Sequence, residues 1–149
     1  MKFSLTKLKA AFGNPRAMEK LHVDDHTEAI INDFDQEPFA VSDDNVLYAG
    51  FNELGGYYFM QTIVIGRFHV KTFKGATLEI NAENLHIKLN SDMMELESEY
   101  SNVSNRSISK IDFQIEKQDL KIIQTSKISE IKLTSKKQSV SFTLYKKKI

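Results

Sequence analysis

Leu78-Glu79-Ile80-Asn81-Ala82-Glu83-Asn84-Leu85-His86-Ile87-Lys88-Leu89 is the stretch that decides the fold. Apolar and polar residues alternate on both sides of a short polar break. A period of two places one residue set on each face of a β-strand, and a short connection makes the two strands antiparallel neighbours. One face of this hairpin is apolar and the other is wet.

The same alternation extends in both directions. Upstream, Tyr57 to Ile65 is almost continuously apolar, as in a strand covered on both faces. Phe68/Val70 follows. Downstream come Met94/Leu96, Ile111/Phe113/Ile115, Leu120/Ile122, Ile131/Leu133 and Val140/Phe142/Leu144. Polar breaks at Lys74-Gly75, Asn90-Ser91-Asp92 and Lys117-Gln118 read as turns. Phe68-His69-Val70-Lys71 is echoed by Leu85-His86-Ile87-Lys88, and Ile108-Ser109-Lys110-Ile111 by Ile128-Ser129-Glu130-Ile131. Each echo occurs once, which suits similar hairpins and not a solenoid.

The N-terminal third reads differently. Phe3, Leu5, Leu8 and Phe12 fall partly at helical spacing. Asn14-Pro15 is a helix start, Asp24 or Asp25 begins another helix carrying Ile30, Ile31 and Phe34, and Pro38 ends the region. Val46 to Phe51 is a strand, and residues 52–56 are a turn. The expected fold is therefore α+β and mainly β. A helical, charge-segregated N-terminal third, residues 1–56, packs on a curved antiparallel meander of about 8–9 strands over residues 57–149, barrel-like or folded into a two-layer sandwich. The 149 residues suit one domain.

Composition excludes several classes. The chain has no cysteine, so disulfide and thiolate chemistry are absent, and a reducing cytoplasmic setting is expected. No apolar run reaches the roughly 18 residues of a membrane-spanning helix. Polar residues interrupt the first nine positions too often for a secretory signal. Net charge is zero but segregated. Residues 21–56 hold nine acids and no Lys or Arg, while both flanking regions are net basic. Packing of the acidic segment on the basic remainder accounts for this without a partner. The basic residues of the sheet are interleaved with acids, which argues against nucleic-acid binding. Lys146-Lys147-Lys148 and the basic N-terminus are a weak signal for membrane-surface contact.

Register follows from keeping apolar residues inward. It is expected to pair Val70 with Leu78, Leu78 with Ile87, Ile80 with Leu85, Leu89 with Met94 and Ile87 with Leu96. His69, Glu79, His86 and Glu97 then form one outward row. Two imidazoles and two carboxylates are a donor set for zinc or another divalent cation, although a solvated charge ladder is the plainer reading. His22 and His26 share helical spacing but lack the glutamate that follows the first histidine in metalloprotease helices. The run Asp33-Phe34-Asp35-Gln36-Glu37 has Pro38 where a calcium loop needs glycine. No phosphate-binding glycine loop or nucleophile elbow is present.

The expected function is accordingly non-catalytic: a binding or protein-interaction domain whose sheet could enclose a small apolar ligand. Tyr48, Tyr57 and Tyr58 are the candidate binding residues. The alternative is a small enzyme with a site between the acidic segment and the sheet, where Asp24, Asp25 and His26 would join those tyrosines. A divalent-metal protein is the third reading.

Overall fold

The computed structural model describes residues 26–100, 106–125 and 127–145. Its framework is a curled nine-stranded antiparallel sheet, a half-barrel. The elements, in chain order, are α1 (His26–Asn32), β1 (Ala40–Val41), β2 (Asn45–Leu54), β3 (Tyr57–Gly66), β4 (Lys71–Thr72), β5 (Thr77–Ala82), β6 (Leu85–Asn90), β7 (Leu96–Glu97), β8 (Glu99–Tyr100), β9 (Ser107–Ile115), α2 (Lys117–Thr125), β10 (Ile128–Ser135) and β11 (Gln138–Leu144). Strand order across the sheet is β6-β5-β10-β11-β1-β2-β3-β9-β8, and β4 pairs separately with β7. Among the described residues no helix is long and apolar enough to cross a membrane.

The mainly β reading holds, but the sheet is not a simple meander. Hairpins join β2 to β3, β5 to β6 and β10 to β11. Consecutive strands also pair at β1–β2 and β8–β9, but three pairs are distant in sequence: β5 with β10, β1 with β11 and β3 with β9. Residues 117–125, read as a turn leading into a strand, form α2. Leu120 and Ile123 are one helical turn apart, and both pack against the main core. The alternation Leu120/Ile122 imitated a strand because two of three clustered apolar residues happen to be spaced by two. The helical N-terminal third is also corrected: α1 is the only helix described within residues 26–56, and β1 and β2 occupy much of residues 40–54. The helices expected within residues 1–25 lie outside the described residues.

The expected register fails in an instructive way. Leu78 pairs with Leu89 and Ile80 with Ile87, each two positions from expectation. The β5–β6 turn is only Glu83-Asn84, with Asn84 in the left-handed region at φ 62°, so pairing extends to Ala82 and Leu85. A slip of two preserves which face every side chain occupies, so alternation cannot detect it. Val70 does not pair with Leu78, whose second neighbour is Leu133. Leu96 does not pair with Ile87, nor Met94 with Leu89. Instead Leu96–Glu97 pairs with Lys71–Thr72.

The concave side is packed with buried side chains, among them Leu47, Met60, Val64, Phe113, Ile131 and Phe142. Phe68, Val70 and Leu96, from the segments around β4 and β7, join this core. Near one end the sheet's two margins meet. Ser91, just after β6, makes an isolated bridge with Phe113 of β9, and Asp92 N–H donates to Asp112 C=O at 2.7 Å. A second apolar cluster lies on the convex side. There Ile30 of α1 packs with Val46 and Tyr48 of β2, Ile65 of β3 and Ile108 of β9.

Candidate interaction surface

The expected site residues are dispersed. Tyr48 is fully buried in the convex cluster, its ring 5.5 Å from that of Phe34 and tilted by 60°. Burial, then the nearby Asp33 carboxylate and Tyr145, push its phenol well above the ordinary value. Tyr57 is exposed at the tip of the β2–β3 hairpin, while Tyr58 is half-buried against the concave core. The three tyrosines do not form one site. Asp24 and Asp25 lie outside the described residues, and His26 opens α1.

The His-Glu row dissolves with its register. Glu79 stands opposite Lys88 on one side and Lys132 on the other. His86 stands opposite Asn81, and its Nδ1 hydrogen-bonds the Asn81 Oδ1. Glu97 stands opposite Lys71, and their charged atoms are 3.8 Å apart on an exposed surface. His69 stacks on Tyr100, with ring centroids 4.1 Å apart. Among the described residues, no group of three or more His, Asp or Glu side chains could hold a metal ion. Asp33, the first residue of the calcium-like run, is instead bonded to Arg106.

His69 Nδ1 also lies 3.0 Å from Ser107 Oγ, the spacing of a nucleophile and its base. Ser107 is only 1% exposed, so its hydroxyl is not presented to a substrate. The hydrogen bond joins the segment between β3 and β4 to the start of β9.

A different surface stands out. Phe73, Met93 and Met94 are 73%, 61% and 59% exposed, and they sit on two loops tied together by hydrogen bonds. Gly75 N–H donates to Met94 C=O at 2.8 Å, and Ser91 N–H donates to Ala76 C=O at 2.9 Å. The Ser91 hydroxyl accepts from Ala76 N–H at 3.0 Å and donates to Met93 C=O at 2.8 Å. Gly75 has φ +71°, and a Cβ there would meet Ser91 Oγ and approach Met94 Sδ to 3.2 Å. Its missing side chain thus lets the two loops meet.

Met93 also lines a groove beside β9 of about 330 Å³. The chain from Ser91 to Tyr100 runs along β9 and pairs with it at both ends, through Ser91 with Phe113 and through Glu99–Tyr100 with Ile108–Ser107. Between those ends it bows away. Gln61, Ile63, Met93, Leu96, Lys110 and Asp112 line the resulting gap. Burial and the neighbouring Asp92 carboxylate raise the Asp112 pKa.

The sequence contained one overlooked sign of this patch. Met93 and Met94 are adjacent, and adjacent strand residues cannot both face inward. No family model matches this chain, and neither the curated proteins nor the solved structures contain a match.

Proposed function

We propose that this protein is a non-catalytic interaction domain that engages an apolar segment of a partner protein through Phe73, Met93 and Met94. The supporting observation is the exposure of three large apolar side chains on two hydrogen-bonded loops at the edge of a groove. Isolated exposed apolar residues are ordinary, but grouped ones are characteristic of binding surfaces. Methionine adapts its shape to different partners, and a phenylalanine anchor gains about 1.5–3 kcal/mol on full burial. Ile63 and Leu96 extend the apolar floor of the groove, and Lys110 and Asp112 offer one charge of each sign for orientation. The concave side is occupied by packed side chains, which favours an external surface over a ligand enclosed in the sheet. A cytoplasmic setting fits the cysteine-free sequence.

Selection from a random peptide library on the immobilised protein tests this reading. Recovered peptides should share an apolar anchor and bind a Phe73→Ser/Met93→Ser variant at least tenfold more weakly, with its circular dichroism unchanged. Equal binding to the folded double variant would refute it.

A further inference from the structure

We propose that the distal edge of β2, residues 50–54, pairs with the same edge of a second copy of this chain. This inference stands apart from the patch formed by Phe73, Met93 and Met94.

Strand β2 is ten residues long and pairs with β3 throughout. On its other side it pairs with β1 only at Val46 and Leu47. Pro38 lies two residues before β1 and has no N–H to extend the ladder. The Leu47 C=O accepts from Phe39 N–H on that side. By strand alternation, the backbone groups of Phe51 and Glu53 point the same way. Among the described residues nothing hydrogen-bonds to them there. An open row of backbone donors and acceptors is satisfied best by another extended chain.

The sequence of this edge favours a copy of itself. Gly50-Phe51-Asn52-Glu53-Leu54 contains no Lys and no Pro, the residues that usually block edge pairing. By contrast β6, at the margin of the sheet, carries His86 and Lys88. A twofold axis through Glu53 would oppose two carboxylates. A twofold axis through Phe51 would require pairing at Ala49, close to where Pro38 interrupts the ladder. A twofold axis through Asn52 avoids both. It sets Phe51 against Glu53 of the second copy and provides four intermolecular backbone hydrogen bonds. It also sets Leu54, which is 70% exposed, against Gly50 of the second copy, where the missing side chain leaves room. Tyr57, exposed beside Leu54 at the hairpin end, extends the covered apolar surface.

The absence of cysteine makes a direct test possible. In this register Asn52 faces Asn52 of the second copy as a non-hydrogen-bonded pair, with Cα atoms about 4.5 Å apart, within disulfide range. Asn52→Cys should form a disulfide-linked dimer under mild oxidation at least tenfold faster than Gln124→Cys, a control on the exposed side of α2. The unmodified protein should sediment with a mass that rises with concentration from 17.1 kDa toward about twice that value. Glu53→Pro should remain monomeric with its thermal transition retained, because the N–H of residue 53 faces away from β3. Cross-linking of Asn52→Cys no faster than the control would overturn the proposal. So would a constant monomer mass up to millimolar protein, or concentration-dependent mass that persists in folded Glu53→Pro.

Discussion

Arg106 Nη1 donates to Asp33 Oδ2 at 2.8 Å, joining the residue before β9 to the turn after α1. Arg106 is 2% exposed. Burial lowers its pKa from the ordinary value, and the Asp33 carboxylate opposes that shift. Removing one member of such a pair weakens the compensation of the buried charge, at a cost of up to about 3–5 kcal/mol when the pair is fully buried. Asp33 is partly exposed, so Asp33→Ala should cost about 2–3 kcal/mol in urea unfolding. Replacing both, as Arg106→Met/Asp33→Leu, should recover much of the loss. A double variant no better than the additive sum would show that the pair is not coupled.

Tyr48 should be silent in a spectrophotometric titration of the folded protein through the ordinary phenol range. Its folded pKa is raised, chiefly by burial, so the folded state favours the neutral phenol. The shift has no effect on stability below the unfolded phenol's pKa of about 10, and it destabilises the fold as pH rises above that value. Tyr48→Phe should therefore move the midpoint of alkaline unfolding to higher pH. An unchanged midpoint would mean that another group governs that transition.

Asp112 gives the corresponding effect in acid. Its folded pKa lies above the ordinary 3.8 because of burial and then Asp92. Ionised Asp112 is thus disfavoured in the folded state, and stability falls as pH rises from the unfolded pKa through the folded one. Asp112→Asn should raise the melting temperature at pH 7 and leave it nearly unchanged at pH 3. Thermal scans of both proteins at the two pH values decide the matter.

Gly66→Ala should destabilise the protein by about 2–4 kcal/mol. Gly66 has φ +152°, and a Cβ there would overlap the Asp44 carbonyl oxygen and the Asn45 side chain. Asn45 cannot withdraw freely, because its Oδ1 accepts from Phe68 N–H at 2.8 Å. Gly56→Ala, at an open hairpin end, should cost only about 1 kcal/mol. Chemical denaturation of both variants measures the contrast.

Ser91→Ala should cost about 1–3 kcal/mol, since it leaves buried Ala76 N–H without its hydroxyl acceptor. Hydrogen exchange should speed up at Ala76 more than at core amides such as those of β3. Uniform acceleration would mean that Ser91 supports the whole fold and not the junction of the two loops.

The sequence by itself determined most of the residues that lie inside the sheet, although Leu85 and Met94, also read as inward, are 42% and 59% exposed. Leu78, Ile80, Ile87, Leu89, Phe113, Ile131, Leu133 and Phe142 are all buried, as alternation requires. It also located the β2–β3 strands and several turns, because glycine, asparagine and apolar periodicity act over a few neighbouring residues. Tertiary structure decided which strands become neighbours and in which register. Placing β10 between β5 and β11 depends on α2 and on packing across the half-barrel, and these are long-range free energies. The two-residue slip between β5 and β6 preserves every apolar contact face, so no local pattern could exclude it. The candidate surface was hidden for the same reason. The loops that carry Phe73, Met93 and Met94 are neighbours only because the chain closes on itself through Gly75 and Ser91, distant in sequence.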